Sequence, residues 1–159
     1  MQLKRVLTVI GAGDAPRGVC QLAFEVGREI ARRGAVLVNG GLGGVMKAAA
    51  RGARSAGGHT VGVLPGYDRA AANAYIDCAV ATGMGEARNA IVVASCDAVI
   101  ALAGKGGTLA EIGFAKKLGK PIVALRSWRE ITKLSRADNA KSEVALALKL
   151  AAARRSGRR

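Results

Sequence analysis

The sequence predicts a single α/β domain with a doubly wound, mostly parallel, Rossmann-like sheet. Short apolar runs alternate along the chain with segments in which apolar residues recur at helical spacing. Half of the 159 residues are apolar but only 3% are aromatic, so the core must consist mainly of Val, Ile, Leu and Ala. Glycine-rich turns follow several of the apolar runs, as they do between strand and helix in such sheets. We expect residues 1–152 to form the domain and residues 153–159 to form a basic C-terminal tail.

The predicted strands share a short apolar core bounded by turn signals, which is typical of parallel strands buried on both faces. They cover residues 6–10, 35–38, 60–64, 74–80, 97–102 and 121–125. The fifth is the clearest, because five apolar residues in a row lead directly into a glycine turn. The fourth is predicted to be short and carries Asp77.

Helical segments are predicted between and after these strands. They cover residues 18–33, 45–55 and 86–95, a helix beginning at residue 109, and residues 143–154. In the first, Leu22, Val26 and Ile30 recur at helical spacing, and Gly34 ends the helix. The second is rich in Ala and Gly, which permits close approach to another helix or to a second subunit. Residues 127–140 are predicted to be irregular or weakly helical.

Composition narrows the class of partner. The formal net charge of +14 favours anionic partners such as nucleotides, nucleic acids or membrane surfaces. Nucleic acid is the less favoured of these, because few aromatic residues are available to stack on bases. No apolar run reaches transmembrane length and no cleavable leader is evident, so we expect a cytoplasmic protein with no membrane contact. The cysteines Cys20, Cys78 and Cys96 match no zinc spacing, and no metal site is predicted.

Three glycine-rich turns follow predicted strands and precede helices. Because the carboxyl ends of parallel strands meet at one edge of a sheet, these turns are expected to gather there. Backbone N–H groups at such turns, together with a helix N-terminus, form an anion site that suits phosphate. The candidate ligand-binding residues in the turns are Gly11, Gly13, Asp14, Gly40, Gly41, Gly43, Gly44, Gly104, Lys105, Gly106, Gly107 and Thr108.

Two interpretations of the third turn remain open. Thr108 and Glu111 have the spacing of a capping box, which would start a helix without any ligand. Alternatively, Thr108 binds the phosphate and Glu111 faces the same ligand. Arg88 and Asn89 are further candidates, because they lie in the first turn of a predicted helix, where a cation gains nothing from the helix dipole.

These motifs together resemble a known superfamily. Residues 104–111 (GKGGTLAE) resemble the PGGxGTxxE signature of the lysine-decarboxylase-like, or "lonely guy" (SLOG), superfamily, and residues 39–46 (NGGLGGVM) resemble its other glycine turn. Residues 85–89 (GEARN) fall where the superfamily carries its ligand-binding arginine. The resemblance spans nearly all of residues 6–125, and its closest branch includes molybdenum cofactor carrier proteins.

The resemblance implies a Rossmann-like homodimer or homotetramer, and three functions. The first is a carrier of a phosphate-bearing heterocycle, above all molybdenum cofactor or a related nucleotide, bound without a covalent link. The second is an enzyme that cleaves the N-glycosidic bond of nucleoside 5′-monophosphates, with Arg88 and Glu111 as its catalytic residues. The third is DNA binding, since DNA-processing protein A shares the superfamily fold.

Two positions depart from the signature. Ala103 replaces its Pro and Lys105 replaces its second Gly. A Lys at a turn that requires positive φ would be strained, whereas its ammonium group would suit a phosphate. Both departures favour the carrier over the enzyme. We also expect self-association through helix 45–55 and the helix that follows Thr108.

Overall fold

The computed structural model describes residues 4–128, 130–131 and 134–157. The strands of this part of the chain are β1 (Val6–Ile10), β2 (Val36–Asn39), β3 (Thr60–Leu64), β4 (Cys78–Ala81), β5 (Ala98–Ala101), β6 (Ile122–Leu125) and β7 (Ser135–Ala137). Its α-helices are α1 (Arg17–Arg32), α2 (Gly44–Ser55), α3 (Arg88–Ala94), α4 (Gly106–Lys117) and α5 (Ala140–Ser156). Short 3₁₀ turns lie at Arg69–Ala71 and Gly85–Ala87.

The strands form one sheet in the order β4-β3-β2-β1-β5-β6-β7, and every pairing is parallel. Helices α1, α2 and α5 cover one face, where Leu7, Leu37 and Ile100 lie in the core. Helices α3 and α4 cover the other face, against Val99 and Ala101. The predicted doubly wound sheet is therefore confirmed. Its strand order reverses between β1 and β5, which is where open sheets of this kind bind ligands.

Helices α1 and α2 pack backbone against backbone. A Cβ on Gly27 would overlap with the carbonyl of Ala49, and a Cβ on Gly52 would overlap with the carbonyl of Phe24. Five further positions of α2 are buried against the rest of the chain: Val45, Ala48, Ala49, Ala50 and Ala53. The small residues of α2 therefore serve a contact within the chain, and this face is not free to join a second subunit as the sequence suggested.

The element boundaries differ from expectation at several places. Strand β7 lies inside 127–140, which was predicted to be irregular; it is a three-residue edge strand that pairs only with β6 and carries no apolar pattern. Strand β4 begins at Cys78 rather than at residue 74. Helix α5 begins at Ala140 and continues to Ser156, so residues 153–156 of the expected tail are helical, while residues 158–159 lie outside the described residues. None of the described helices is long and apolar enough to cross a bilayer.

Candidate functional site

The three glycine turns meet at the carboxyl edge of the sheet and are joined through main-chain atoms. The turn after β1 lies between the other two. The N–H of Ala12 donates to the carbonyl of Ala103 at 3.0 Å, and the N–H of Val45 donates to the carbonyl of Ala12 at 3.0 Å. Gly44 has φ +57°, and a Cβ there would overlap with the carbonyl of Ala12. Only glycine therefore permits the second turn to pack this closely against the first.

The turns and the start of α3 surround a cleft of about 270 Å³. The predicted residues that line it are Gly11, Gly13, Asp14, Arg88, Asn89, Lys105, Gly107, Thr108 and Glu111. The cleft is also lined by four residues that were not predicted from the sequence: Ala12, Leu42, Met46 and Glu86. The topology thus brings together residues separated by up to a hundred positions in the chain.

The side chains and surfaces that line this cleft do not include the other predicted glycines. They are Gly40, Gly41, Gly43, Gly44, Gly104 and Gly106. A Cβ on Gly40 would overlap with the Arg88 guanidinium, and a Cβ on Gly104 would overlap with the Thr108 side chain. Gly41 has φ +72° and faces Leu64 and Gly62. Gly40 and Gly104 therefore leave room for two side chains that line the cleft.

Helix α4 begins at Gly106, three residues earlier than predicted, and Lys105 is its N-cap. Thr108 is therefore the third residue of the helix, and the proposed capping box of Thr108 and Glu111 is wrong. Lys105 makes no side-chain cap, and its φ of −123° carries no strain, contrary to the expectation for this position. The first N–H groups of a helix have no partner within it. The amides of Gly106, Gly107 and Thr108 are accordingly available to an anion.

Arg88 is the first residue of α3 and is only 5% exposed. Its Nη1 donates to the carbonyl of Val63 at 2.9 Å, and its buried Nε donates to no described residue. Burial lowers the pKa of the Arg88 guanidinium, an effect partly offset by Glu111 and then Glu86. The group stays charged. Arg88 lines the cleft and brings a buried positive charge to its wall.

Glu111 is 9% exposed and lies on α4 facing the cleft. No described residue donates a hydrogen bond to its carboxyl group or lies in ion-pair distance of it. Burial raises the pKa of Glu111 to about 7, with Arg88 opposing the shift and Glu86 adding to it. Glu86 is held separately, because its Oε2 accepts a hydrogen bond from Asn89 Nδ2 at 3.2 Å. Glu111 therefore changes protonation state near neutral pH.

Within the described residues, no group of three or more His, Cys, Asp and Glu side chains is arranged to hold a metal ion. The cleft instead combines free backbone amides, two cationic side chains and three carboxyl groups. Such a set suits an organic anion that also carries N–H or hydroxyl donors.

The model of the SLOG cluster4 family matches residues 4–153. The chain belongs to this family. The resemblance inferred from the glycine turns and the GEARN segment is thereby confirmed.

Solved structures similar to this SLOG cluster4 member include two with a stated ligand. The molybdenum cofactor binding protein of Rippkaea orientalis is 32% identical, with a TM-score of 0.88 over 94% of this chain and 99% of that one. The molybdenum cofactor carrier protein of Chlamydomonas reinhardtii is also 32% identical, with a TM-score of 0.86 over the same shares. A cytokinin riboside 5′-monophosphate phosphoribohydrolase of Mycobacterium tuberculosis is 39% identical over 117 residues, which cover 68% of this chain and 63% of the relative.

The residues that sequence analysis missed in this SLOG cluster4 protein have weak local signals. Leu42 lies within the second glycine turn and Met46 follows it, and both look like ordinary core residues. Glu86 stands beside the predicted pair Arg88–Asn89, so its position in the GEARN segment was the one available indication. Ala12 contributes mainly through its main chain, which no side-chain pattern reveals.

Proposed function

We propose that this protein is a binding or carrier protein for a phosphate-bearing heterocycle, with molybdenum cofactor as the preferred ligand. The observation that carries the proposal is the uncapped N-terminus of α4 beside the buried, partly unpartnered Arg88 in one cleft. Two independent groups of donors converge there on a space near the small end of the range for ligand sites. The two similar proteins named for this cofactor support the choice.

The cleft offers chemistry for both parts of such a ligand. The phosphate suits the amides of Gly106, Gly107 and Thr108, with Lys105 and Arg88 as counter-charges. A pterin ring carries amino and ring N–H donors, which suit the acceptors Asp14 and Glu111. The apolar side chains of Leu42 and Met46 give the ring a surface to lie on.

A nucleoside 5′-monophosphate phosphoribohydrolase is the second candidate, and the specific observation that favours it is Glu111. A carboxyl group with a pKa of about 7 can donate or accept a proton at neutral pH. In that reaction water adds to C1′ of the ribose and the C1′–N bond breaks. The base departs with a proton and ribose 5-phosphate remains. Arg88 would then hold the substrate, and Glu111 would assist at C1′.

Two measurements on one preparation separate these functions. Protein incubated with molybdenum cofactor released from a molybdoenzyme is passed through gel filtration, and the retained pterin is measured by the fluorescence of its oxidised form. The same protein is incubated with AMP, and free adenine is measured by chromatography. We expect retained pterin and no free adenine. Steady release of adenine without pterin retention would contradict the carrier proposal.

Substitution of Glu111 by Gln sharpens the distinction. The amide keeps the shape of the side chain but cannot change protonation state. For a carrier, we expect pterin retention to persist and its pH dependence near pH 7 to disappear. For an enzyme, adenine release would be lost while the protein stays folded. Glu25→Gln, on the outer side of α1, makes the same acid-to-amide exchange away from the cleft and serves as the control.

A further inference from the structure

Helices α1 and α2 carry two rows of cationic side chains on their outer surface, which we call the basic face. Its members are Arg17 and Arg28 of α1 and Lys47, Arg51 and Arg54 of α2. Spacings of eleven residues in the first row, and of four and three in the second, keep each row on one side of its helix. Four of these side chains are exposed and Arg28 is half-buried. None of them lines the cleft, so the proposed function does not use them.

Acidic side chains border the basic face but do not neutralise it. Helix α2 contains no Asp or Glu, although Arg54 forms an ion pair with Asp77. Glu25 lies next to the α1 row and accepts a hydrogen bond from Gln21 Nε2 at 3.2 Å. Asp14 lines a hollow that Lys47 and Arg51 also line. The four cations other than Arg54 form no ion pair with any residue that the structure describes.

One aromatic ring holds a cation from each row in place. The guanidinium carbons of Arg28 and Arg51 lie 5.8 and 5.0 Å from the centroid of the Phe24 ring. The rows are close together because α1 and α2 pack backbone against backbone, with Gly52 against the carbonyl of Phe24. A guanidinium group that is already positioned loses less freedom when it binds an anion.

The chemistry of this surface distinguishes among extended anionic partners. Binding to a membrane surface uses apolar side chains as well as cations. Among the described residues, none of the large apolar side chains that are exposed lies on α1 or α2. A single nucleic-acid strand is bound by stacking its bases on aromatic rings, whereas the Phe24 ring lies between two guanidinium groups. The phosphate backbone of a duplex requires neither feature, because cations alone supply the contact.

We propose that the basic face binds the phosphate backbone of duplex DNA without reading its base sequence. This inference goes beyond the proposed function and does not depend on it. Helix α1 rises about 16 Å from Arg17 to Arg28, which corresponds to about five base-pair steps of the duplex. Several phosphates therefore lie within reach of the two rows, and the four cations without an ion-pair partner provide about four contacts.

Salt-dependent binding of a labelled duplex of about 20 base pairs, measured by fluorescence anisotropy, tests the inference. For about four phosphate contacts, the logarithm of the association constant should fall with the logarithm of salt concentration with a slope of about −4. In Arg28→Gln/Arg51→Gln the slope should become shallower by about 2, and affinity at about 50 mM salt should fall about tenfold or more. A duplex of unrelated sequence should bind equally well.

A matched control separates the basic face from the high net charge of the chain. Lys117→Gln/Lys149→Gln removes the same formal charge from exposed positions of α4 and α5 and should keep the slope of the wild type. Equal losses in the two double variants would overturn the inference, since net charge would then govern binding. The affinity of Arg28→Gln/Arg51→Gln for AMP should equal that of the wild type, so this inference and the proposed function can fail separately.

Four other results would also overturn the inference. Failure of the wild-type protein to bind the duplex at about 50 mM salt would remove the site altogether. Loss of duplex binding in Arg88→Ala, with Arg28→Gln/Arg51→Gln unaffected, would place the DNA in the cleft. Tighter binding of oligodeoxythymidylate than of the duplex would assign the face to a single strand. Tighter binding of poly-L-glutamate than of the duplex, lost in Arg28→Gln/Arg51→Gln, would assign it to an acidic protein.

Discussion

Arg88 shows how a single residue depends on a glycine far away in the chain. A cation at the first residue of a helix is unfavourable towards the dipole, and this one is buried as well. The structure tolerates it through the carbonyl of Val63 and through the absence of a side chain on Gly40. A position that is costly for the fold and aimed at a cleft indicates a role in binding.

The pair Arg88 and Gly40 yields a prediction about ligand affinity. Arg88→Ala should weaken AMP binding about tenfold, because one charge-assisted contact is lost. Gly40→Ala should weaken it similarly, since the new Cβ displaces the guanidinium. The two changes together should cost no more than one alone, and titration calorimetry on the double-mutant cycle measures this coupling. Additive losses of AMP affinity would mean that Gly40 does not act through Arg88. The control is Arg32→Ala, which removes a positive charge from the exposed surface of α1.

Glu143 gives a prediction about stability. It is fully buried in the first turn of α5, and neither of its carboxyl oxygens has a described hydrogen-bond donor. Burial raises the pKa of Glu143 to about 9. The folded protein therefore keeps a proton that the unfolded chain releases above about pH 4.5, so stability falls as pH rises from there towards 9. Between pH 5 and 7 the loss is about 3 kcal/mol.

Glu143→Met should remove most of the fall in stability with pH that Glu143 causes, which chemical unfolding at pH 5, 7 and 8 measures. Relative to the wild type, the variant should be stabilised more at pH 8 than at pH 5. Glu111 adds a slope of the same sign and similar steepness that ends near pH 7, and Glu143→Met leaves that contribution in place. The control Glu25→Gln, on the outer side of α1, should keep the full slope. A variant as pH-dependent as the wild type would show that Glu143 is ionised in the folded protein.

At the scale of elements, the contact between α1 and α2 depends on two glycines that helix propensity disfavours. Gly27→Ala should destabilise the protein by several kcal/mol, because the added methyl group overlaps with the carbonyl of Ala49. Gly113→Ala, inside α4, meets no atom within 4 Å and should stabilise by up to about 1 kcal/mol. Denaturant midpoints of the two variants provide the comparison. If both variants shifted the denaturant midpoint equally in the same direction, α1 and α2 would have to move apart readily to accommodate the methyl group added at Gly27.

The elements also show where sequence patterns suffice. Strand β1 and strand β3 have the predicted bounds, because their apolar runs end at turn residues. The start of α4 was missed because Gly106 and Gly107 have low helix propensity, yet the surrounding structure places both in the first turn. Strand β7 was missed because Ser135, at the sheet edge, has no apolar pattern around it. Local propensity fails where tertiary contacts determine the conformation.

At the scale of the whole molecule, the sequence predicted which turns share an edge but not which residues face the cleft. Parallel topology alone brings residues 11–14, 85–89 and 105–111 to one edge. The separation of lining residues from supporting glycines depends on side-chain packing, such as that of Arg88 against Gly40. The raised pKa of Glu111 depends on burial in the assembled fold and has no counterpart in local sequence.

Self-association remains a prediction, now assigned to α4 alone. Leu109 of this helix is 50% exposed, and Gly113, one turn further along the same side, is open. Gly113→Arg should reduce the mass measured by light scattering to that of the 16.2 kDa chain, because a bulky charge is placed beside Leu109. Gly18→Arg makes the same change at an open position of α1 and should leave the mass unaltered. A wild-type protein of 16.2 kDa at micromolar concentration would contradict the prediction.

The main-chain bonds that join the three turns have an evolutionary consequence. Carbonyl and amide groups of Ala12, Ala103 and Val45 fix the floor of the cleft, and these groups are the same whatever side chain the residue carries. Side chains on the walls can therefore be exchanged without rebuilding the floor. Because the floor consists of main-chain groups and the walls of side chains, a few substitutions in the walls can give the same fold a new ligand or a new reaction. Variants that replace wall residues such as Leu42 or Lys105 are accordingly the natural starting points for changing ligand preference.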